Sequence, residues 1–156
     1  MPLQKLTDFL DDNFVHYVII KHSRAYTAQT VAYSAHIRAR DLAKVVIIYL
    51  DEKMAMVVLP ASDSVDLDLL RESTGSQSVR LAKELEFRNV FPECEPGAMP
   101  PFGNLYDMEV FVSSHLTEDE LIAFNAGTHT ELIQLSYSDF SELVSPVVIR
   151  LSEKDQ

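Results

Sequence analysis

Residues 44–59 read KVVIIYL-DEK-MAMVVL, which is two strand-sized apolar stretches joined by three polar residues. β-Branched and other large apolar side chains dominate both stretches, and such residues favour extended backbone. This pattern predicts an antiparallel hairpin with its turn at Asp51-Glu52-Lys53 and its end at Pro60. Because the apolar residues are nearly continuous, both faces of the hairpin are expected to be buried.

The segments on either side of this hairpin predict further strands and helices. Strands are expected over residues 16–21, 108–113, 121–125, 131–135 and 147–151. Helices are expected over residues 3–10, 27–35, 65–71, 78–85 and 137–144. Strands and helices intermix without a strict βαβ alternation, so an α/β (α+β) fold is predicted, with a mixed, largely antiparallel sheet and peripheral helices.

The composition fits one globular domain over residues 1–156, with 47% hydrophobic and 24% charged residues. No apolar run reaches the roughly 18 residues that a membrane span needs, and the N-terminus lacks a signal-peptide pattern. Cys94 is the only cysteine, which excludes an intramolecular disulfide and a cysteine-based zinc site. A cytoplasmic protein that does not associate with membranes is therefore expected.

Charge is distributed unevenly along the chain. The net charge is −11, which argues against broad contact with nucleic acid. Residues 89–149 contain ten acidic and no basic residues, whereas residues 21–44 contain five basic residues and one acidic residue. Residues 21–44 are consequently the segment best suited to bind a phosphate, although a solvated mixed-charge surface would show the same pattern.

The segment from Pro92 to Gly103 holds four of the seven prolines and two of the four glycines. Prolines fix φ and glycines open conformations that are closed to other residues, so a long, stiff and irregular loop is predicted. Such a loop can present its carbonyls and amides to a ligand in a preset geometry. A rigid loop with a purely structural role is the alternative.

Two further features carry chemistry. Lys44 begins a very apolar strand, so its ammonium is expected at the end of the sheet, where it can hold a phosphate or a carboxylate. The segment from Asn125 to Thr130 joins two short strands, and amides around Gly127 are suited to stabilise an oxyanion. His129 in that segment is suited to act as an acid, a base or a hydrogen-bond donor. A snorkelling lysine and a plain strand connection are the structural alternatives.

Other constellations are weaker. Cys94 and His129 form a conceivable nucleophile–base pair. The five histidines lack metal-ligand spacing, and the glycine-rich motifs that bind nucleotide cofactors are absent. Neither a metal nor a cofactor is expected.

Several of these stretches occur together in one order along the chain. They are His22, residues 26–29 (YTAQ), 42–44 (LAK), 58–61 (VLPA), 95–103 (EPGAMPPFG) and 124–130 (FNAGTHT). In this the sequence resembles the YbaK/EbsC family, relatives of the editing domain inserted in bacterial prolyl-tRNA synthetases. The resemblance extends from about residue 5 to residue 150. It implies a curved six- or seven-stranded sheet and a trans-acting aminoacyl-tRNA deacylase, which hydrolyses the ester of a mischarged tRNA.

The resemblance also implies roles for particular residues. The residues matching the family's catalytic positions are Lys44, Gly127, Thr128 and His129. Those matching its substrate-binding positions are His22, Tyr26, Thr27, Gly97, Ala98, Met99, Pro100, Pro101, Phe102, Gly103 and Asn125. In this family the substrate's free ribose hydroxyl and a bound water replace a metal and a protein nucleophile. Met99, Pro101 and Phe102 are expected to select the amino-acid side chain by size.

The implied partners are the acceptor end of an aminoacyl-tRNA and an aminoacyl-tRNA synthetase, with the chain a monomer or a homodimer. The Ala98-Met99 pair, the double proline and the Thr-His turn depart from the proline-editing members, so amino-acid specificity does not carry over. Two other functions stay open. One is a non-catalytic module that binds a small molecule or an aminoacyl end in the same pocket. The other is a hydrolase that depends on Cys94.

Overall fold

The computed structural model describes residues 2–24, 31–32 and 35–151. Its strands are β1 (Val18–Lys21), β2 (Leu42–Leu50), β3 (Lys53–Pro60), β4 (Val79–Leu81), β5 (Glu109–Ser113), β6 (Leu121–Asn125), β7 (Glu131–Ser136) and β8 (Val147–Ile149). Its helices are α1 (Gln4–Asp12), α2 (Leu67–Thr74), α3 (Glu84–Phe87) and α4 (Tyr137–Val144). Short 3₁₀ turns cover Ala39–Asp41, Gly103–Tyr106 and Leu116–Glu118. The helix expected over residues 27–35 falls largely outside the described residues.

β2 and β3 form the predicted antiparallel hairpin, and this hairpin lies at the centre of the sheet. The strand order is β1-β7-β6-β2-β3-β5-β8, and β4 pairs with β2 outside this path. The turn between β2 and β3 consists of Asp51 and Glu52, whose φ angles of 49° and 67° are typical of two-residue hairpin connections. The pairs β1–β7, β6–β7, β2–β3 and β2–β4 are antiparallel, and the remaining three are parallel. The mixed, largely antiparallel α/β architecture is confirmed.

Two expectations about the elements are corrected. The family resemblance implied six or seven strands, whereas eight are present in the described part of the chain. The short strand β4 is one of them and lies outside the main strand order. Residues 78–85 were expected to be helical, but they form β4 and the start of α3. β6 pairs with β2 only at Leu42 and Ala43, so the backbone groups near the other end of β2 are left for another strand. There Tyr49 of β2 pairs with Arg80 of β4. Pairing with a strand distant in sequence overrides the local helical pattern.

Apolar side chains cover both faces of the sheet. On one face Ala43, Ile47, Met56 and Val58 join α1, α4 and the loop before Gly103 in the largest core cluster. The opposite face carries two smaller clusters, one around Leu42, Ala123 and Leu132 and one around Ile48, Leu59 and Leu70. The helix ends follow the usual capping rules: Asp66 accepts from the Leu69 amide, and Ser136 accepts from the Asp139 amide. No helix in the described residues is long and apolar enough to cross a membrane.

Candidate active site

Lys44 and Asn125 occupy neighbouring strands on the same face of the sheet. β2 and β6 run parallel with Leu42 opposite Ala123, so the positions two residues further along, Lys44 and Asn125, lie side by side. Leu42 and Ala123 pack in one cluster, which identifies the face that Lys44 and Asn125 share with them. The side-chain oxygen Oδ1 of Asn125 is buried and has no hydrogen-bond partner among the described residues. Lys44 and this buried oxygen of Asn125 therefore lie on one face of the sheet, near the end of β6.

The environment of Lys44 changes its acid–base behaviour. Burial lowers the pKa of its ammonium, and the carboxylate of Asp63 acts in the opposite direction. Asp63 is itself buried and lies 2.6 Å from Nδ1 of His115. A partly desolvated lysine of this kind binds an anion more strongly than a solvated one, because less water has to be displaced.

The loop at residues 95–98 and the turn at residues 126–129 are joined by hydrogen bonds. The Glu95 amide donates to the Gly127 carbonyl at 2.8 Å, and the Gly127 amide donates to the Ala98 carbonyl at 2.9 Å. The His129 amide donates to Oε1 of Glu95 at 2.6 Å, and Nε2 of His129 lies 2.7 Å from the Pro96 carbonyl. These bonds place the turn that follows Asn125 directly against the proline-rich loop.

His129 acts in this arrangement as a donor. The side chain is buried, and the only group that Nε2 can offer to the Pro96 carbonyl is its hydrogen. Gly97 follows with φ of 84°, and a Cβ at that position would lie 3.6 Å from Cε1 of His129. The imidazole therefore holds the peptide that carries the Gly97 amide.

The hydrogen bonds narrow the expectation that amides around Gly127 stabilise an oxyanion to particular amides. The amides of Gly127 and His129 donate to Ala98 and Glu95, so they are engaged within the protein. Within the described ranges, the amides of Gly97 and Thr128 donate to no protein acceptor. In a trans peptide the N–H points opposite to the carbonyl of the preceding residue. Each of these two amides is thus aimed by a carbonyl that is held in place, Pro96 for Gly97 and Gly127 for Thr128.

The rest of the proline-rich loop belongs to the core. Phe102 is fully buried, and its ring packs against the rings of Phe9, Phe124 and Phe140. Met99 lies in the same cluster, and Ala98, Pro100 and Pro101 are also buried. Only Pro96 and Gly97 are exposed between residues 96 and 103. The structure therefore places Met99, Pro101 and Phe102 beneath the loop surface rather than on it.

Gly103 also has a packing reason for lacking a side chain. A Cβ there would lie 2.6 Å from Cγ2 of Val110 and 2.7 Å from the Met108 carbonyl oxygen. The lack of a side chain at Gly103 allows the loop to approach β5 closely. This packing role involves Val110 and Met108 and none of the other candidate site residues.

His22 and Thr128 extend the site toward β1. The His22 amide donates to the Thr130 carbonyl at 2.9 Å, and Nδ1 of His22 donates to the Ser23 carbonyl. Nε2 of His22 is buried without a hydrogen-bond partner in the described part of the chain. The Thr128 hydroxyl donates to the buried carboxylate of Glu131 at 3.2 Å. Tyr26 and Thr27 lie outside the described residues.

Cys94 is poorly suited to be a nucleophile. Burial raises the pKa of its thiol, and its sulfur lies 3.8 Å from the hydroxyl of Tyr106. A nucleophilic cysteine needs the opposite shift, because the thiolate is the reactive form. In the described ranges, no group of three metal-ligating side chains is placed to hold an ion.

Arg24 is one of the five basic residues in the segment predicted to bind a phosphate, but nothing in the sequence marks Asp63 or the side chain of Glu95 as parts of this region. Nη1 of Arg24 lies 3.2 Å from the Glu95 carboxylate, so this basic residue is paired with an acid. A groove of about 870 Å³ lies at the N-terminal ends of β2 and β6, and Asp63, His115 and Asp119 are among the residues that line it. The Arg24–Glu95 and Asp63–His115 contacts join residues that are far apart in sequence, so no local sequence pattern indicates them.

The comparisons with known proteins identify the family of this chain. Residues 22–143 match the model of the aminoacyl-tRNA editing domain family, and the chain belongs to that family. The match spans Lys44, the proline-rich loop and the turn at residues 126–129, and it confirms the resemblance seen in the sequence. No functionally curated protein matches the chain at a significant level.

Solved structures show the same fold at low sequence identity. The hypothetical protein APE2540 is 19% identical with a TM-score of 0.85, and the match covers 96% of this chain and 100% of that one. A second protein, described as "a putative trans-editing enzyme for prolyl tRNA synthetase", is 17% identical with a TM-score of 0.83 and coverage of 96% in both chains. At these identities the likeness shows a shared fold, and the specific activity of either protein does not transfer with it.

Proposed function

We propose that this editing-domain protein is a trans-acting deacylase, which hydrolyses the ester between a wrong amino acid and the 3′ end of a tRNA. The proposal is supported by the placement of residues that all fall within the family match over residues 22–143. The β2–β6 pairing runs to Ala43 and Phe124, so Lys44 and Asn125 are the next positions on the two strands, and hydrogen bonds join the turn after Asn125 to the proline-rich loop. The proposal takes the partly desolvated ammonium of Lys44 and the amides of Gly97 and Thr128, which donate to no acceptor in the described residues, as parts of one site.

In the proposed reaction, Lys44 holds the terminal phosphate or the carbonyl region of the aminoacyl ester. Water adds to the carbonyl carbon, its proton passes through the free hydroxyl of the terminal ribose to the ester oxygen, and the carbonyl oxygen becomes an oxyanion. The amides of Gly97 and Thr128 are the donors proposed to stabilise it, since donors that are fixed in advance lower the barrier most. The ester C–O bond then breaks, and the tRNA hydroxyl leaves with a proton.

This mechanism assigns His129 a positioning role, because its Nε2 hydrogen is committed to the Pro96 carbonyl. It uses no metal and no protein nucleophile, which agrees with the raised pKa of the Cys94 thiol. His22 and Asn125 have buried polar atoms without described partners, and they are proposed to bind the aminoacyl end. The backbone at Pro96 and Gly97 is proposed to form one wall of the pocket, with Met99, Pro101 and Phe102 setting its shape from below.

A net charge of −11 limits how much tRNA this protein is expected to contact. Repulsion between like charges opposes binding along the tRNA backbone, so the proposed contact is confined to the acceptor end. A synthetase that delivers the tRNA would overcome this repulsion. The same charge favours the second candidate function, a module that binds an aminoacyl end or a small molecule without hydrolysing it.

A panel of mischarged tRNAs distinguishes the two functions. Each aminoacyl-tRNA is incubated with the protein, with a known editing domain as positive control and a protein-free sample for spontaneous hydrolysis. Release of the amino acid from at least one member supports the deacylase. Tight binding without release from any member supports the binding module and contradicts the proposal.

A further inference from the structure

Glu95 stands between three segments of the candidate site. Its backbone amide donates to the Gly127 carbonyl at 2.8 Å, and its carboxylate accepts from the His129 amide at 2.6 Å. The same carboxylate pairs with Arg24, which follows β1, at 3.2 Å. One residue therefore connects the end of β1, the proline-rich loop and the turn.

The two contacts with the turn involve successive peptide planes. The Gly127 carbonyl belongs to the plane that carries the Thr128 amide, and a trans peptide directs that N–H away from the Glu95 backbone. The His129 amide belongs to the next plane, between Thr128 and His129. Both planes are consequently oriented by residue 95, one through its main chain and one through its side chain.

The contact from the side chain is the stronger of the two. A hydrogen bond from an amide to an ionised carboxylate is shorter and about twice as strong as one between neutral groups. The His129 amide and, to a lesser degree, Arg24 hold the pKa of Glu95 below its ordinary value, so the carboxylate is ionised at neutral pH. Arg24 and Glu95 are both partly exposed, and an ion pair of that kind contributes only about 0–1 kcal/mol.

We propose that Glu95 is a positioning residue, whose carboxylate fixes the turn so that the Thr128 amide faces the substrate. Its contact with the His129 amide is the essential one, and Arg24 supports it. The inference rests on the proposed function, because the readout of positioning is the rate of ester hydrolysis. It assigns Glu95 no contact with the substrate, so loss of the carboxylate should lower kcat while KM changes little.

Four variants test this. Glu95→Ala removes the acceptor for the His129 amide, and a misplaced oxyanion donor should lower kcat by about tenfold to a hundredfold. Glu95→Gln keeps a neutral acceptor and should recover most of the lost rate. Arg24→Gln removes the ion pair with Glu95 and should lower kcat far less than Glu95→Ala. Glu93→Gln neutralises an exposed carboxylate in the same loop and serves as the matched control, with kinetics unchanged.

A spectroscopic readout separates this inference from the proposed function. In ¹H–¹⁵N spectra of Glu95→Ala, the His129 amide proton should move upfield, and the Thr128 signal should move with it. The Glu93→Gln spectrum should match the wild type at these positions. If the wild type deacylates and Glu95→Ala keeps its kcat, or if the Thr128 signal does not move, Glu95 is not a positioning residue. If the wild type deacylates no substrate, the proposed function fails, and the spectra alone decide the role of Glu95.

Discussion

Substitution of Gly97 by alanine tests whether the loop geometry serves the chemistry. Gly97 has φ of 84°, a conformation that costs an L-residue about 1–2 kcal/mol. An added Cβ would lie 3.6 Å from Cε1 of His129, which is ordinary contact, so the cost in stability is expected to come from backbone strain alone. For a chain of this size, that strain corresponds to a fall in Tm of about 2–8 °C.

The matched control for this variant is Gly75→Ala. Gly75 has φ of 72°, and a Cβ there would meet nothing within 4 Å, so it carries the same strain far from the site. Gly97→Ala keeps the amide N–H, but relief of the backbone strain should displace it, so if this amide stabilises the oxyanion kcat should fall by up to about 10²-fold, the loss expected when one such donor is removed. Gly75→Ala should lose similar stability and no activity.

Thermal unfolding followed by circular dichroism measures the first quantity, and single-turnover deacylation measures the second. Equal activity of the two variants would refute the role of the Gly97 amide. An unchanged Tm in both would show that left-handed backbone at these positions is not strained as argued.

Three further predictions concern other parts of the molecule. Gly127→Ala should lower Tm more than Gly97→Ala, because the added Cβ would lie 3.0 Å from Cβ of Leu3. Leu3 cannot easily move away, since its amide donates to the Ala126 carbonyl. An equal or smaller fall in Tm would contradict the packing described. Cys94→Ser should keep the wild-type kcat, and a large loss would restore the cysteine-dependent mechanism. Burial raises the pKa of Asp119 to about 6, so the stability it contributes is present below its ordinary pKa and is lost as the pH rises through about 6. Asp119→Asn should therefore have a higher Tm than the wild type at about pH 8 and the same Tm at about pH 4, and a constant difference across this range would show that ionisation is not the cause.

Much of the fold could be predicted because its elements have strong local signals. The hairpin over residues 44–59, the helix over residues 137–144 and the strands at β6 and β7 follow from apolar spacing and turn residues alone. β4 could not be predicted, because three residues become a strand only when the edge of β2 is available to them.

Some residues of the candidate site also have strong local signals in the sequence. Lys44 stood out by its place at the start of an apolar strand, and Gly97 by the conformations that glycine allows. The side-chain contact between Glu95 and the His129 amide joins residues far apart in sequence, and nothing in either segment indicates it. Phe102 was expected to contact the substrate, but it is buried against aromatic rings from α1, β6 and α4. Those rings are distant in sequence, so the loop sequence alone does not indicate the burial.

Single-turnover deacylation by a Lys44→Met variant tests the central claim most directly. The substrate is the mischarged tRNA that the wild type hydrolyses fastest, and Lys53→Met, which removes an exposed charge from the opposite end of the hairpin, is the control. Methionine fills a similar volume without the charge, so the far-ultraviolet circular dichroism of both variants should match the wild type. The proposed mechanism predicts that Lys44→Met loses nearly all activity while Lys53→Met keeps it. A Lys44→Met variant that hydrolyses the ester at the wild-type rate would contradict it.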